Sequence, residues 1–313
     1  MGCSSSKTTP DTKLVKAVQR GEHSAALAAL EAGANANFRS KHVFKSGGLS
    51  YSPTTGGPDY SGPRVYDISE TPVLHMAAER GDVRMCEILI DAGAEVATTE
   101  GRKEKKDDEE GSYGTTTALH FAARLGSAEL VTLLLARGAE ADWRPPSGSQ
   151  GGAGDAEDPY MQPFMLACIA GSAGCVKALL EANATIDMTA QRAKWTPLHY
   201  CAAGGKEPSV APPGLDFAIE DIKLACTPDH AECCRLLIQL GKPSKELLDQ
   251  RDESDEALPP IAYAAHFGEA GVARALVQAG AATDVRGPSG FTPAQYAREA
   301  GHEALAAELG AGS

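Results

Sequence analysis

Cysteine and histidine side chains, the usual ligands of structural zinc, cluster in one part of this 313-residue chain. The cluster consists of His199, Cys201, Cys226, His230 and Cys233. No two of these residues show the close C-x-x-C spacing that is typical of a structural zinc site. His199 and Cys201 also occupy regular places in a repeated pattern, described below. We therefore predict no metal site, and nothing else in the sequence calls for a cofactor.

The acidic segment 249–256 has the carboxylate density of a calcium-binding loop. It lacks the turn glycine and the terminal bidentate glutamate of such a loop, so a solvated acidic hairpin is the better interpretation. The sequence contains no phosphate-binding loop, no nucleophile elbow and no kinase motif. Its recurring histidines belong to separate repeats with no nucleophile to pair with. These observations predict a protein that is not an enzyme and takes no small-molecule substrate.

The first residues of the chain could carry lipid. After removal of Met1, Gly2 together with Ser6 fits the N-myristoylation pattern. One myristoyl chain binds a membrane only marginally, so a second signal is needed. Residues 1–20 carry a local charge of +3, which is a weak signal when the basic residues are dispersed. S-palmitoylation of Cys3 is the better candidate, and the alternative is a disordered polar tail that matches by accident.

Composition narrows the remaining classes of function. The net charge of -13 argues against nucleic acid as the main ligand, because phosphate binding needs clustered Lys and Arg. No apolar run approaches the ~20 residues that span a bilayer. Most of the eight cysteines fall within helical patterns, where they fit as buried thiols of a cytosolic protein. Acylation would then place the protein at the cytosolic face of a membrane.

An apolar residue followed by a glycine seven positions later recurs along the chain and predicts its elements. The pairs are Leu14 and Gly21, Leu74 and Gly81, Leu119 and Gly126, Phe164 and Gly171, Leu198 and Gly205, Ile261 and Gly268, and Ala294 and Gly301. Thr or Pro before the apolar residue indicates a helix start, and the glycine indicates its end. A second apolar helix follows each glycine. Helices this short are unstable alone, so they must be stabilised by stacking on one another.

The phrase Trp195-Thr-Pro-Leu-His-Tyr-Cys-Ala-Ala resembles the signature of ankyrin repeats, which have a period of ~33 residues. The resemblance implies an all-α solenoid of about seven helix-turn-helix units. His75, His120 and His199 match the motif histidine, which in the family ties neighbouring loops together by hydrogen bonds. The family binds proteins, so the resemblance also implies a surface for a partner.

The spacing between the recurring apolar residues indicates where the repeats and insertions lie. We predict a lipid-anchor tail over 1–11 and an ankyrin repeat array over 12–313. The repeats lie near 12–37, 71–97, 116–142, 161–187, 195–241, 258–284 and 291–313, and the fifth is split by an insertion at 206–228. Three further insertions, at 38–69, 99–114 and 143–159, stand where a hairpin should join two repeats. We expect them to form flexible loops or long fingers.

The function we predict is a non-catalytic adaptor that binds a protein partner and is tethered to a membrane by its acylated N-terminus. Positions that contact partners in the family point to Trp195, Phe291, Trp143, Arg80, Arg124 and Phe267 as candidates. Trp195 could instead simply cover its own hairpin. Two other functions stay open. The protein could be a regulatory subunit or an enzyme-associated protein that uses its insertions as a site, or a structural spacer without a defined partner.

Overall fold

A computed structural model describes most of the chain. The described residues are 9–45, 50–51, 58–59, 66–106, 109–143, 162–186, 195–205, 225–253 and 257–311. The acylation candidates Gly2 and Cys3 lie outside them, as do nearly all of the insertion at 143–159 and most of the insertion at 206–228. The chain divides into two compact units, Met1–Ala118 with Arg144–Gly154, and Leu119–Trp143 with Asp155–Ser313. We describe each unit by itself.

The first unit contains two helix pairs. The helices are α1 (Pro10–Arg20), α2 (His23–Glu31), α3 (Val73–Glu79) and α4 (Val83–Asp91). Helix α1 begins where the Thr9 side chain accepts a hydrogen bond from the Thr12 N–H, and it ends at Gly21, which is left-handed. The buried residues Leu14, Ala17 and Val18 have helical spacing. They face the contact of α1 with α3, and α2 packs on α4.

The hairpins that join these repeats are extended into strands. They are β1 (Arg39–Lys45), β2 (Ser50–Tyr51), β3 (Pro58–Asp59), β4 (Tyr66–Pro72), β5 (Thr99–Lys106) and β6 (Glu109–Thr117). Strands β1, β4, β5 and β6 form an antiparallel sheet in that order, and β2 pairs with β3. Within the sheet, Val43 pairs with Ile68, which in turn pairs with Lys103. The all-α prediction was therefore incomplete at 38–69 and 99–114, because two neighbouring hairpins also pair their backbones with each other.

The second unit contains the remaining helices. They are α5 (Ala118–Arg124, which begins at the unit boundary), α6 (Ala128–Ala136), α7 (Pro163–Ile169), α8 (Ala173–Glu181), α9 (Pro197–Ala202), α10 (His230–Leu236), α11 (Lys245–Leu248), α12 (Pro260–Phe267), α13 (Ala270–Gln278), α14 (Pro293–Glu299) and α15 (Glu303–Gly310). A π-helical turn, Leu237–Gly241, extends α10. Four of the first helices begin at a proline, as the sequence predicted.

Equivalent helices of successive repeats pack side by side in the second unit. The first helices α7, α9, α12 and α14 contact one another in that order, and so do the second helices α6, α8, α10 and α13. Each helix buries one face against its own partner and others against the next repeat. This mutual burial is what stabilises helices of only two or three turns.

The recurring glycine satisfies two requirements at once. Gly171 and Gly268 have φ values of +63° and +76°, a region that residues with a Cβ rarely adopt. A Cβ on Gly268 would also lie 2.5 Å from Cε1 of His302, and one on Gly171 would lie 2.9 Å from Cε1 of His230. In both places, the side chain at the start of the next repeat's second helix lies directly on the glycine. The glycine is therefore part of the contact between repeats as well as a helix end.

Side chains at the hairpin bases tie each repeat to the next. Asn37, Asp142 and Asp249 each accept a hydrogen bond of 2.8 Å from a backbone N–H of the following repeat. The donors are the N–H groups of Glu95, Thr185 and Ala282, which come soon after the second helix of their repeat. These bonds satisfy backbone N–H groups of the loop that follows each second helix.

Candidate protein-interaction surface

A row of large side chains crosses the first helices of the second unit. In the third to seventh repeats, a large side chain stands two residues after the recurring apolar residue that opens the repeat pattern. These side chains are between 7% and 9% exposed, and they are Phe121, Leu166, Tyr200, Tyr263 and Tyr296. They occupy equivalent positions in successive first helices, and the helices of the last four, α7, α9, α12 and α14, pack side by side. We call these five residues, four aromatic residues and Leu166, the aromatic row. All five are buried, so a partner could reach chiefly the more exposed side chains that border them.

More exposed groups border the row. Phe267 is half-buried and stacks on Tyr263, with ring centroids 6.4 Å apart and 12° between the planes. His266 is exposed and meets Phe267 edge-on at 5.0 Å. Phe291 is half-buried and meets Tyr296 edge-on at 5.6 Å. The predicted candidates Phe267 and Phe291 therefore lie beside the row and keep part of their surface accessible.

Three other candidates occupy different places. The Arg124 guanidinium lies 5.3 Å from the centroid of the Phe121 ring, a cation–π geometry at the opposite end of the row. Trp143 is half-buried and meets His120 edge-on at 5.7 Å. Arg80 belongs to the first unit and is exposed. These three residues remain predictions as partner contacts.

Trp195 is 1% exposed, so its side chain has no free face for a partner. Its ring is packed against Tyr263 with centroids 4.7 Å apart. Its Nε1–H donates to the Asp252 carboxylate at 3.0 Å. The interpretation of Trp195 as an interface anchor is corrected by this burial: Asp252 and Tyr263, which follow it along the chain, hold its side chain in the core.

Asp252 is the centre of a buried polar network that the sequence analysis missed. It is 3% exposed and also accepts hydrogen bonds from the Tyr263 O–H and the Leu258 N–H, both at 2.7 Å. Three donors satisfy the carboxylate, which would otherwise be costly to bury. The segment 249–256 was expected to be a solvated acidic hairpin, but Asp252 is structural and Asp249 binds the next repeat. Residues 254–256 lie outside the described part of the chain.

Two of the motif histidines make the loop contacts that the resemblance implied. His199 Nδ1 accepts from the Thr196 N–H at 3.1 Å, so its Nε2–H must donate to the Leu258 carbonyl at 3.1 Å. His75 Nε2 likewise donates to the Thr98 carbonyl at 2.9 Å. Burial is the main cause that lowers the pKa of both His75 and His199 to about 4, so both are neutral at physiological pH. Neutral, fully packed histidines act as structural ties.

The split repeat returns to the stack by an unexpected route. Residues 225–230, which we call the return strap, precede and open helix α10. The Ala225 N–H donates to the Leu125 carbonyl of the third repeat at 2.7 Å, and the Asp229 N–H donates to the Gly171 carbonyl of the fourth at 2.8 Å. His230 Nε2 donates to the Ile169 carbonyl at 3.1 Å. The strap therefore runs across the helix turns of two earlier repeats.

The structure shows where the cysteines and histidines that cluster in the sequence lie. Cys201 and Cys233 are buried, and burial raises the pKa of the Cys233 thiol. Burial also raises the pKa of the Cys175 thiol to about 11. Within the described part of the chain, no three His, Cys, Asp or Glu side chains are arranged to hold a metal ion. None of the described helices combines the length and the apolarity that crossing a bilayer requires.

Comparisons with known proteins agree with this architecture. Residues 57–144 match a family model for three copies of ankyrin repeats. The human ankyrin repeat and SOCS box protein 16 is 31% identical over 155 residues, which is 44% of this chain and 33% of that protein. The chain thus spans about a third of that curated relative. The crystal structure of the human ASB11 ankyrin repeat domain superposes with a TM-score of 0.56 at 19% identity, over 95% of this chain and 96% of that one.

The matched residues, the paired helices and the loop-tying histidines lead to one description: the chain contains ankyrin repeats and has the ankyrin repeat fold.

Proposed function

We propose that the protein is a non-catalytic adaptor that binds another protein through the accessible border of the aromatic row. Ankyrin repeats are protein-interaction modules, which supports the coarse function. The observation that carries the finer proposal is the accessible border of the row: His266, Phe267 and Phe291 join five large side chains. Aromatic groups in such a setting supply most of the energy of a protein interface.

Partner capture from cell extract, followed by measured affinity for the purified partner, tests the adaptor proposal. Phe267→Ala should weaken binding about tenfold, because loss of an interface anchor costs ~1.4 kcal/mol or more. Val277→Ala is the matched control: Val277 is 39% exposed on α13, the second helix of the same repeat. Thermal unfolding of both variants separates lost binding from lost stability. Equal affinities for the two variants would refute this face as the binding surface.

We also propose that the adaptor is held at the cytosolic face of a membrane by myristate on Gly2 and palmitate on Cys3. The support is the sequence of residues 1–7 and the marginal binding that a single acyl chain provides. Labelled myristate should be incorporated into the wild-type protein but not into the Gly2→Ala variant. Cys3→Ser should keep the myristate but lose stable membrane retention. Unchanged retention of Cys3→Ser would remove palmitate from the proposal.

A further inference from the structure

Helix α1 carries three basic residues on one face. Lys13, Lys16 and Arg20 are exposed, and Arg20 retains 68% of its side-chain surface. Their spacing of three and four places them within about 60° of one another around the helix axis, because each residue turns ~100°. The buried residues Leu14, Ala17 and Val18 lie on another side. We call the three basic residues the basic stripe.

Few acidic groups neutralise the stripe. The nearest acid on its own helix is Asp11, which faces away and accepts a hydrogen bond from the Asn35 N–H at 2.8 Å. Arg20 makes a 3.7 Å ion pair with Glu22, in which both side chains are at least half exposed, so the pair is weak. Within the described residues, no ion pair is formed by Lys13 or Lys16. The stripe therefore presents net positive charge to solvent.

A fourth basic residue extends the patch to the next repeat. Arg80 is exposed at the end of α3, and its Nη2 lies 3.3 Å from where a Cβ on Gly21 would be. Gly21 directly follows Arg20, so the two guanidinium groups flank the same turn. One acid, Asp82, also lies at this turn, where its carboxylate contacts the His23 ring at 2.8 Å, so the four basic residues outnumber the acids beside them. The positive surface is thus built by two helices of the first unit.

We propose that the basic stripe, with Arg80, docks the first repeat onto an anionic phospholipid surface. Residues 1–20 carry a charge of +3 in a chain whose net charge is -13. The acidic remainder does not cancel this attraction at physiological salt, because charges farther than ~8 Å from the lipid are screened. Basic residues on one face of a helix can contact the surface together without first being ordered, since the fold already holds them in place. This proposal adds to membrane tethering but does not depend on acylation.

Sedimentation with lipid vesicles tests the stripe. The full-length protein carries Gly2→Ala, so that no acyl chain contributes. Vesicles consist either of phosphatidylcholine alone or of phosphatidylcholine with phosphatidylserine. We expect the protein to bind only the vesicles that contain phosphatidylserine. Added salt should weaken this binding. The triple variant Lys13→Gln, Lys16→Gln, Arg20→Gln should bind about a hundredfold more weakly, since each basic residue contributes ~1 kcal/mol, or about fivefold.

The matched control makes the same change of charge elsewhere. Lys177→Gln, Lys242→Gln and Lys245→Gln remove three exposed charges from the second unit. This control should bind phosphatidylserine vesicles like the parent protein. Glutamine is a good helix former, and circular dichroism verifies that α1 persists in the stripe variant. Equal losses in both triple variants would overturn the proposal, because net charge alone would then explain binding.

The same assay separates the stripe from acylation. The myristoylated protein should prefer phosphatidylserine vesicles by the same factor that the stripe variant loses. Equal binding of that protein to both kinds of vesicle would overturn the stripe and leave acylation intact. Stripe-dependent binding without any uptake of myristate in cells would support the stripe and refute acylation. No vesicle binding by the unacylated parent would also overturn the proposal and would favour an acidic protein segment as the stripe's partner.

Discussion

At individual positions of this protein, neighbouring side chains require glycine as much as the backbone conformation does. Gly268 and Gly280 both have positive φ, at +76° and +94°, and both belong to the sixth repeat. A Cβ on Gly280 would meet nothing within 4 Å, whereas one on Gly268 would strike the His302 ring. The pair therefore separates backbone strain from loss of the contact between repeats.

We expect Gly280→Ala to lower the free energy of unfolding by ~1 kcal/mol, the cost of the left-handed conformation. Gly268→Ala should cost at least ~1 kcal/mol more, because His302 must move as well. Gly310→Ala is the neutral control, since Gly310 lies in α15 with open space around it. Urea denaturation measures all three variants. A Gly268→Ala variant no less stable than Gly280→Ala would contradict the role of His302.

Trp195 is best understood through its indole N–H. We expect Trp195→Phe to destabilise the protein by ~2 kcal/mol or more, because it leaves a buried carboxylate with one donor fewer and removes part of the ring packing. Tyr263→Phe removes only a hydroxyl from the same carboxylate and should cost ~1.5–3 kcal/mol.

A double-mutant cycle measures whether these donors act together. Since both donate to Asp252 Oδ2, the cost of the double variant should differ from the sum of the single costs. Strict additivity in denaturant unfolding would show that the two bonds do not depend on each other. In partner binding, Trp195→Phe at a temperature where it stays folded should behave like the wild type, because the residue is buried.

At the scale of secondary-structure elements, the sequence led us to expect flexible loops or long fingers where the structure has paired hairpin strands. Charged and small residues in β5 and β6 have low β-propensity, and nothing in their pattern shows pairing between neighbouring hairpins. Repeat stacking brings the hairpins side by side, and their backbones then pair. The return strap is a second example, because a segment that leaves the fifth repeat binds carbonyls of the third and fourth.

Hydrogen exchange distinguishes a paired ribbon from a flexible loop. We expect peptides covering 66–72 and 99–106 to exchange more slowly than an unstructured peptide of the same sequence, because β4 and β5 pair with each other and each has another neighbour. Peptides from the helices provide the internal standard for protection. Exchange at the unstructured rate in both segments would restore the flexible-loop interpretation.

Two buried motif histidines, His75 and His199, make the stability of the protein depend on pH. Their folded-state pKa of about 4 lies below the ordinary value of 6.5, so protons bind the unfolded chain first. The contribution of each histidine to stability is complete above pH ~6.5 and is lost as pH falls towards 4, by up to ~1.4 kcal/mol per pH unit.

Thermal unfolding between pH 7 and pH 5 checks this expectation. The wild type should lose stability steadily on acidification, before most carboxylates titrate. His199→Gln is less stable at pH 7 but should show a shallower decline, since one of the two linked groups is absent. Parallel declines for the two proteins would mean that His199 does not resist protonation.

Local signals in the sequence determined the repeats: prolines begin first helices, glycines end them, and apolar spacing specifies the buried faces. These features depend on a few consecutive residues, so the fold class and the structural role of His199 could be predicted. Tertiary structure decided which aromatic groups are accessible. Trp195 and Phe267 look equivalent as aromatic candidates, yet Asp252 and Tyr263 bury the first and leave the second at the border. The sheet and the return strap depend likewise on residues that stacking brings together from distant parts of the chain, and stacking also places Arg80 beside the end of the basic stripe.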